Sequence, residues 1–302
     1  MMPAVETNKL AKSYKKVEAL KPLDLAIEPG EIFGLVGPDG AGKTTAIKLL
    51  ASLLRPTSGR AGVFGFDTAS QPEAVRSQIG YMSQSFALYP ELTVRENLDF
   101  FADIYRVKPG DKKTRLQELM DFSRLGPFRD RLAGKLSGGM KQKLAVSCAL
   151  IHTPRLLLLD EPTTGIDPIS RRELWKLLYD IWKGGVTIVV ATPYMDEAER
   201  CGRVALMDGG RMLLCDTPEH LKSGLGLEVI EADHEEPTRI QELIAAWNGV
   251  DGIHRFGRLL HLHLGDPSVQ RPKLEAALRG TGARLRRIEP SLEDVFLAMT
   301  GR

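Results

Sequence analysis

Residues 30–54 read GEIFGLVGPDGAGKTTAIKLLASLL, and this stretch decides the fold of the chain. The apolar residues of 31–36 predict a short strand, and the apolar periodicity of 44–54 predicts a helix. Between them, residues 37–44 fit the pattern G-x-x-x-x-G-K-[ST] in the strand–loop–helix context that this pattern requires. The stretch therefore predicts a phosphate-binding loop.

The residue types in this loop predict a site for a nucleoside triphosphate and magnesium. Glycines let consecutive backbone N–H groups turn towards a phosphate, and the start of the helix adds unpaired amides and a positive dipole end. Lys43 is placed to reach the outer phosphates, and the Thr44 hydroxyl to ligate a magnesium ion that bridges them. A glycine-rich turn before a core helix is the alternative, and the complete pattern argues against it. The residues that we assign to the nucleotide are Gly37, Pro38, Asp39, Gly40, Ala41, Gly42, Lys43, Thr44 and Thr45.

Composition restricts the class of protein. The chain has 302 residues, enough for one large or two ordinary domains, and 43% of them are hydrophobic. Lys and Arg number 41 against 39 for Asp and Glu, so the net charge of +2 gives no reason to expect a nucleic-acid partner. The three cysteines have no C-x-x-C spacing, which favours reduced thiols in a cytosolic compartment. The apolar runs are too short to cross a bilayer, so we expect another chain to supply any membrane span.

The order of the predicted elements indicates an α/β fold. Two strands within 4–27 precede the loop, and a short strand after it leads to Gln84. Helical patterns then dominate residues 87–153, which we interpret as a helical insert. Apolar strands at 155–160 and 186–191, separated by a helix, predict a parallel sheet covered on both faces. The expected fold is a P-loop nucleoside triphosphate hydrolase core with a parallel sheet, an antiparallel β subdomain and a helical insert.

An acidic pair, Asp160 and Glu161, stands at the end of the apolar strand 155–160. Ligands of open α/β sheets bind outside the carboxyl ends of the strands, which is where this pair lies. We expect Asp160 to hold the magnesium and Glu161 to be the general base for an attacking water, a role worth roughly 10²–10⁴ in rate. An acidic helix start is the alternative, and the phosphate loop makes the catalytic interpretation the better one.

Two further features are ambiguous from the residues alone. Tyr14 lies in the turn SYKKVEAL, where its ring can stack on an adenine base or be an ordinary exposed tyrosine. Ser137, Gly138 and Gly139 stand at the start of a predicted helix, and such an end attracts an anion. A plain helix cap is the first choice for a serine and two glycines by themselves.

Together, these motifs and their order resemble those of ATP-binding-cassette (ABC) ATPases. The resemblance covers residues 4 to about 222, and we take 1–222 as the ABC ATPase domain. It rests on the phosphate loop, Gln84 after a strand, LSGGMKQK at 136–143, LLLLDEP at 156–162, the Asp167 loop and YMDEAE at 194–199.

The resemblance implies a head-to-tail dimer with two ATP molecules at its interface, formed with a second copy or with a sister chain. Ser137, Gly138 and Gly139 of one subunit would then face the phosphate loop of the other. The family pattern further implies that Tyr14 stacks on adenine and that Asp167 bridges the two sites. Gln84 would take part in catalysis, contact the magnesium and report to an integral membrane permease.

One position departs from the family pattern T-H-x-M-D-E-A, because Pro193 replaces the histidine that contacts the γ-phosphate. Proline suits the first position of a helix behind a Thr192 cap, so we expect a mild structural effect. Proline offers no side-chain donor, however. We therefore expect ATP binding and dimer closure to be retained while hydrolysis is slow, or a partner subunit to carry the histidine.

Residues 223–302 predict a small α+β accessory domain. Its end, PSLEDVFLAMTG, resembles the C-terminal extension of ATPases from type-2 ABC exporters, the drug, polysaccharide and antibiotic efflux class. The order of elements indicates a βαββαβ-like unit followed by a short helix in PSLEDVFLAMTG: strand 227–232, helix 238–247, strand pair 252–265, helix 269–278 and strand 284–288 precede that helix.

Two groups of polar residues in this tail have simple interpretations. His261 and His263 alternate along one strand, and without a third ligand a strand surface is favoured over a metal site. Arg284, Arg286 and Arg287 are most simply a solvated strand edge.

The leading hypothesis is the energy-coupling subunit of an exporter. Such a subunit is a cytoplasmic ATPase, with ATP and Mg²⁺ as cofactors, that lies on the inner face of the cell membrane through its permease. A soluble ABC ATPase acting on ribosomes or DNA is disfavoured, because the chain has one cassette, a short insert and almost no net charge. A regulatory nucleotide-binding subunit that hardly hydrolyses ATP stays open because of Pro193.

Overall fold

The computed structural model describes residues 2–84, 88–247 and 249–301, and it divides the chain into two compact units, Met1–Met212 and Leu213–Arg302. The boundary expected after residue 222 lies further along the chain. Helix Pro218–Ser223 begins after the observed division and ends one residue past the expected one, and it packs on the last helix, Leu292–Thr300, within the second unit. Met1 and Arg302, the ends of the two expected domains, lie outside the described residues.

The first unit alternates strands and helices. Its strands are β1 (Val5–Tyr14), β2 (Val17–Ile27), β3 (Ile32–Val36), β4 (Ser58–Val63), β5 (Phe66–Asp67), β6 (Ile79–Met82), β7 (Leu156–Asp160), β8 (Thr187–Thr192), β9 (Arg203–Asp208) and β10 (Arg211–Asp216), the strand in which the units divide. Its helices are α1 (Lys43–Leu50), α2 (Pro72–Gln78), α3 (Val94–Ile104), α4 (Pro109–Phe122), α5 (Gly138–Ala149), α6 (Pro168–Lys183) and α7 (Met195–Ala198).

The core sheet has the strand order β10-β9-β3-β8-β7-β6. β3 pairs in parallel with β8 and β9, and β7 pairs in parallel with β6 and β8. Every residue of β3, β7 and β8 is buried, as expected for strands that helices cover on both faces. The predicted α/β fold class is confirmed. The carboxyl ends of these parallel strands meet at one edge of the sheet, where a ligand is expected.

An antiparallel sheet with the order β2-β1-β4-β5 forms the predicted β subdomain. Tyr14 and Val17 are paired across the end of the hairpin between β1 and β2. The hairpin therefore places both residues at one tip of this subdomain.

Helices α3, α4 and α5 lie in the insert predicted for residues 87–153, whose first residue, Ala87, lies outside the described residues. A capping box fixes the start of α3. Thr93 Oγ1 accepts from Glu96 N at 3.2 Å, and Thr93 N donates to Glu96 Oε2 at 2.8 Å. The first turn of the insert is thus set by its own local sequence.

Helix α1 ends at Leu50, although the apolar periodicity predicted a helix to residue 54. Ser52 has a left-handed φ of 55°, which stops the helical repeat. The N–H groups of Leu53 and Leu54 both donate to the carbonyl oxygen of Lys48, at 2.9 and 3.2 Å. The apolar residues after Leu50 therefore belong to a closing turn.

The second unit contains a four-stranded sheet with the order β12-β13-β11-β14 and antiparallel neighbours. One face packs on two helices through Ile230, Ile240, Ile244, Leu260, Leu262, Leu264 and Leu274. After a first short helix, the strand and helix order is the βαββαβ order that the sequence predicts, followed by the short final helix that it also predicts. Its elements are α8 (Pro218–Ser223), β11 (Glu228–Asp233), α9 (Pro237–Trp247), β12 (Gly252–Phe256), β13 (Leu259–Leu264), α10 (Pro267–Ala277), β14 (Arg284–Ile288) and α11 (Leu292–Thr300).

The prediction of a histidine surface on β13 is wrong, because His263 is buried and contacts α11. His261 Nδ1 and His263 Nε2 lie 2.8 and 3.1 Å from Oδ1 of Asp294, the fully buried carboxylate of α11. Burial alone would raise the pKa of Asp294, but hydrogen bonds from both histidines and Ser291 hold it well below its ordinary range. Within the described ranges, no group of three or more His, Cys, Asp and Glu side chains is placed to hold a metal ion.

The arginines of edge strand β14 are exposed, as predicted, but they are also ion-paired. Antiparallel pairing with β11 brings carboxylates beside them, which the sequence reasoning missed because it did not know the strand order. The pairs are Arg284 with Asp233, Arg286 with Glu231 and Arg287 with Glu228.

Candidate nucleotide site

The phosphate-binding loop joins β3 to α1 at the carboxyl edge of the core sheet. Gly40 and Gly42 have φ values of 79° and 95°, which residues with a side chain rarely adopt. A Cβ on Gly37 would lie 2.0 Å from the carbonyl oxygen of Met207, so only glycine fits beside β9. Each of these three positions therefore requires glycine for its own steric reason.

The Lys43 ammonium group lies against the loop and donates to the carbonyl oxygens of Gly37 (2.7 Å) and Pro38 (3.0 Å). Burial lowers the pKa of Lys43, an effect opposed by nearby carboxylates, of which Glu161 acts most strongly. Lys43 is a single, nearly buried cation beside backbone amides. This combination is suited to the outer phosphates of a nucleotide.

Thr44 and Asp160, the two predicted metal ligands of the loop and strand, are in contact. The Thr44 hydroxyl donates to Asp160 Oδ1 at 2.9 Å, while Oδ2 of this fully buried side chain has no hydrogen-bond partner among the described residues. Burial raises the pKa of Asp160. An unpartnered carboxylate oxygen beside a hydroxyl is a donor set that fits a hard divalent cation.

Glu161 lies beside Asp160 and is held by two donors. Its Oε2 accepts from Gln84 Nε2 at 2.9 Å and from Thr164 Oγ1 at 3.1 Å, and its Oε1 lies 4.0 Å from Lys43 Nζ. The φ of Glu161 is 52°, a left-handed value that is uncommon for a residue with a side chain and is found more often at functional sites. The fold therefore brings the predicted base, the predicted glutamine and the loop lysine into one cluster.

An open cavity of ≈ 410 Å³ covers the phosphate loop. Gln84 and Glu161 line it, together with the loop residues from Asp39 to Thr45. Sequence reasoning missed Val17, Glu18 and Ala19, which line the cavity because the β1–β2 hairpin folds over the loop. Their position just after Tyr14 was the available signal.

Tyr14 is 46% exposed and is not among the lining residues of this cavity in the described part of the chain. Lys12 Nζ lies 5.3 Å from the centre of its ring. The Tyr14 ring is thus exposed at the tip of the hairpin. Its neighbour there, Val17, does line the cavity.

Ser137, Gly138 and Gly139 lie outside the cavity. Ser137 caps α5, with Oγ accepting from Met140 N at 3.3 Å. A Cβ on Gly139 would lie 2.4 Å from the Ser170 side chain, so this glycine lets α5 approach α6 closely. Within a single chain, the phosphate loop and residues 137–139, here called the signature residues, therefore form no common cavity in the described ranges.

Asp167 caps the other helix of this contact, α6. Its Oδ1 accepts from Ile169 N at 3.0 Å and from Ser170 N at 2.9 Å, and hydrogen bonds from Ser170 lower the pKa of the carboxyl group. Asp167 also lies outside the nucleotide cavity. Asp167 lies next to the signature residues. The two groups that we predict to face a second subunit, Asp167 and residues 137–139, therefore lie at one corner of the unit.

The prediction that Pro193 takes the first helical position is wrong. Thr192 is still in β8, where it pairs with Val36 of β3, so the chain leaves the sheet too late for a helix to start at Pro193. Helix α7 starts at Met195, and the Thr192 hydroxyl accepts from Tyr194 N at 3.1 Å. Pro193 consequently lies in a short loop at the carboxyl end of β8.

The parallel sheet, the glycine loop around Lys43 and the acidic pair at the end of β7 together define a P-loop nucleotide-binding protein. Residues 20–164 match the family described as ABC transporter. The chain is 48% identical over 219 residues to the probable multidrug ABC transporter ATP-binding protein YbhF of Escherichia coli K12, an alignment that covers 72% of this chain and 38% of YbhF. It is 37% identical over 306 residues to the daunorubicin resistance ATP-binding protein DrrA2 of Streptomyces coeruleorubidus, covering 99% of this chain and 95% of DrrA2.

Solved structures give the same result. The dimeric post-hydrolysis structure of the ATP-binding cassette MJ0796 with ADP and Pi superposes with a TM-score of 0.65 at 28% identity, covering 70% of this chain and 98% of that one. The chain belongs to the family of ABC transporter ATP-binding proteins.

Proposed function

We propose that this chain binds and hydrolyses ATP to energise export through a separate membrane permease, by ATP-driven closure of two such subunits. The observation that carries the proposal is the cluster of Lys43, Glu161 and Gln84 within one cavity over the phosphate loop. The names of YbhF and DrrA2, a multidrug transporter protein and a daunorubicin resistance protein, support the assignment to export.

The residues of the site have complementary roles in this proposal. Lys43 and the loop amides bind the phosphates, with Thr45 at the same helix start, and the ring of Tyr14 stacks on adenine. Thr44, Asp160 and the amide oxygen of Gln84 would hold magnesium, which would supply positive charge to the phosphates. Glu161 then accepts a proton from the attacking water.

A second subunit completes the site in this proposal. Its Ser137, Gly138 and Gly139 offer the N-terminus of α5 to the phosphates, since such an end binds anions. Asp167 lies at the same corner and bridges the two sites. The dimeric MJ0796 cassette supports the arrangement, and the second subunit is either a copy of this chain or a sister chain.

We propose a cytoplasmic location on the inner face of the membrane, through the permease. No helix in the described ranges combines the length and the apolar character that a membrane span requires. The test is purification of the tagged chain from detergent-solubilised membranes of its own host. We expect a polytopic membrane protein to copurify, whereas recovery of the chain only from the soluble fraction would favour a soluble ABC ATPase.

Pro193 favours a second candidate function, a regulatory subunit that binds ATP and hydrolyses it slowly. The backbone around Pro193 is anchored by Thr192, but proline has no side-chain donor for a γ-phosphate. In this candidate the chain closes on ATP, and a sister subunit supplies most of the turnover.

The variant Pro193→His separates the two candidates. A charge-assisted hydrogen bond gained in the transition state is expected to raise kcat by about ten- to a hundredfold. Steady-state phosphate release measures the change, and Pro193→Ala is the control that removes the ring without adding a donor. Turnover of the wild-type chain as fast as that of Pro193→His would contradict slow hydrolysis.

A further inference from the structure

Residues 192–194, here called the switch loop, are joined to the phosphate loop through Thr192. Gly37 N donates to the carbonyl oxygen of Thr192 at 3.3 Å. Tyr194 N donates to the Thr192 hydroxyl at 3.1 Å. The position of Thr192 therefore affects both loops.

Glu197, on α7, anchors Thr192 through a hydrogen bond. Its Oε2 accepts from the Thr192 hydroxyl at 2.7 Å, and the side chain is fully buried. The other oxygen, Oε1, has no hydrogen-bond partner among the described residues. Because a buried carboxylate is costly without a compensating charge, Glu197 requires a cation nearby.

Arg171, on α6, is that cation. Its Nε lies 3.6 Å from Oε1 of Glu197 and likewise has no hydrogen-bond partner within the described residues. Its guanidinium carbon lies 4.3 Å from the centre of the Tyr194 ring, a cation–π distance. A second ion pair, with Asp196 at 3.6 Å, involves an exposed carboxylate and is expected to be weak. Arg171 thus contacts both ends of the network around the switch loop.

The start of α6 also touches the residues that face the second subunit in the proposed function. Arg171 N donates to the carbonyl oxygen of Asp167 at 2.9 Å. Ser170 fills the space that a side chain at Gly139 would need. A continuous set of contacts therefore runs from Asp167 and Gly139 through Arg171, Glu197 and Thr192 to Gly37.

We infer that Arg171, which is partly exposed, and Glu197, which is fully buried, are a positioning pair that holds the switch loop against the phosphate loop. Neither residue touches the nucleotide cavity, so the pair acts through Thr192 and Tyr194. Pro193 has no side-chain donor. The position of the switch-loop main chain, and the contacts that hold it there, therefore decide how the switch loop contacts the phosphates. The kinetic consequence rests on the proposed ATPase function, whereas the effect on backbone order does not.

Hydrogen–deuterium exchange tests the backbone effect without any need for turnover. In Arg171→Met, we expect the amides of Gly37 and Tyr194 to exchange about tenfold faster than in the wild type, while β7 and residues 187–191 of β8 are unchanged. Arg171→Lys should retain most of the protection, and Arg172→Met, on the exposed side of the same turn, is the matched control. Unchanged exchange at both amides, or equal acceleration throughout the unit, would overturn the inference.

A kinetic cycle tests the functional effect. Arg171→Met should lower kcat about tenfold with the KM for ATP within about twofold, because an anchoring defect misplaces groups without removing a phosphate contact. The double variant Arg171→Met/Glu197→Gln should recover part of the loss, since it removes the uncompensated buried charge. A wild-type chain without turnover would count against the proposed function alone. Normal kcat in Arg171→Met, beside an active wild type, would count against the positioning pair.

Discussion

Glu161→Gln is expected to lower ATP turnover by about 10²–10⁴-fold, the range that a general base contributes. The substitution is nearly isosteric, and the amide oxygen can still accept from Gln84 and Thr164, so the local structure should persist. What is lost is the group that accepts the proton of the attacking water. Phosphate release measures kcat, and fluorescence titration with a labelled ATP analogue should give a Kd close to that of the wild type.

A substitution of the neighbouring carboxylate, Asp160, should have a different effect from Glu161→Gln. Asp160→Asn alters the unpartnered oxygen that fits the metal, and we expect it to weaken magnesium-dependent ATP binding as well as turnover. Glu161→Gln should instead accumulate as an ATP-bound dimer in size-exclusion chromatography, because in the proposed function ATP binding drives closure and hydrolysis is not needed for it. Turnover of Glu161→Gln within threefold of the wild type would remove Glu161 from the role of base.

The strand, turn and helix start of the phosphate loop could be predicted because its residues are contiguous. The left-handed φ values of Gly40 and Gly42 belong to this one strand–loop–helix unit, whereas the steric demand on Gly37 comes from β9 and has no local signal. The same locality explains why the apolar run of β7 predicted a strand buried on both faces. Local pattern and tertiary structure agree there.

Contacts between distant segments could be expected only in outline. Gln84 meets Glu161 because β6 lies next to β7 in the sheet, and this neighbour relation has no signal in either segment alone. The burial of His263 likewise depends on α11 covering one face of the second sheet. The start of α7 depends on how far β8 remains paired to β3, which overrides the preference of Pro193 for a first helical turn.

The candidate site is separated into two halves within a single chain, and this separation bears on how the protein assembles. Glu161 and the loop residues from Asp39 to Thr45 line one cavity, and Asp160 contacts this half of the site through the Thr44 hydroxyl, whereas Ser137 and Asp167 lie outside the cavity. An N-terminal helix end with a serine cap binds anions, so Ser137 has a ligand-binding geometry without a ligand in its own chain. In the proposed head-to-tail dimer, the nucleotide on the partner's phosphate loop would be that ligand.

Mixing two inactive variants tests this arrangement. Lys43→Ala removes the cation proposed to bind the phosphates, and Gly138→Asp puts a carboxylate at the helix end that would meet the partner's phosphates in the proposed dimer. Each variant alone should lose at least about a hundredfold in turnover. Aspartate in a first helical turn is compatible with the helix dipole, and a Cβ at this position would lie 3.3 Å from Ile166, so Gly138→Asp should fold with a small adjustment.

In a head-to-tail homodimer, each mixed pair joins the intact loop of one variant to the intact signature of the other. Random pairing makes about half of the dimers mixed, each with one of two sites intact, so about a quarter of wild-type turnover should return if sites act independently. The measurement is phosphate release after the two purified chains are mixed at equal concentration, and each variant mixed with itself is the control. Turnover that stays at the level of the single variants would contradict a shared site between copies of this chain. A sister subunit would then be the expected source of the second half of the site.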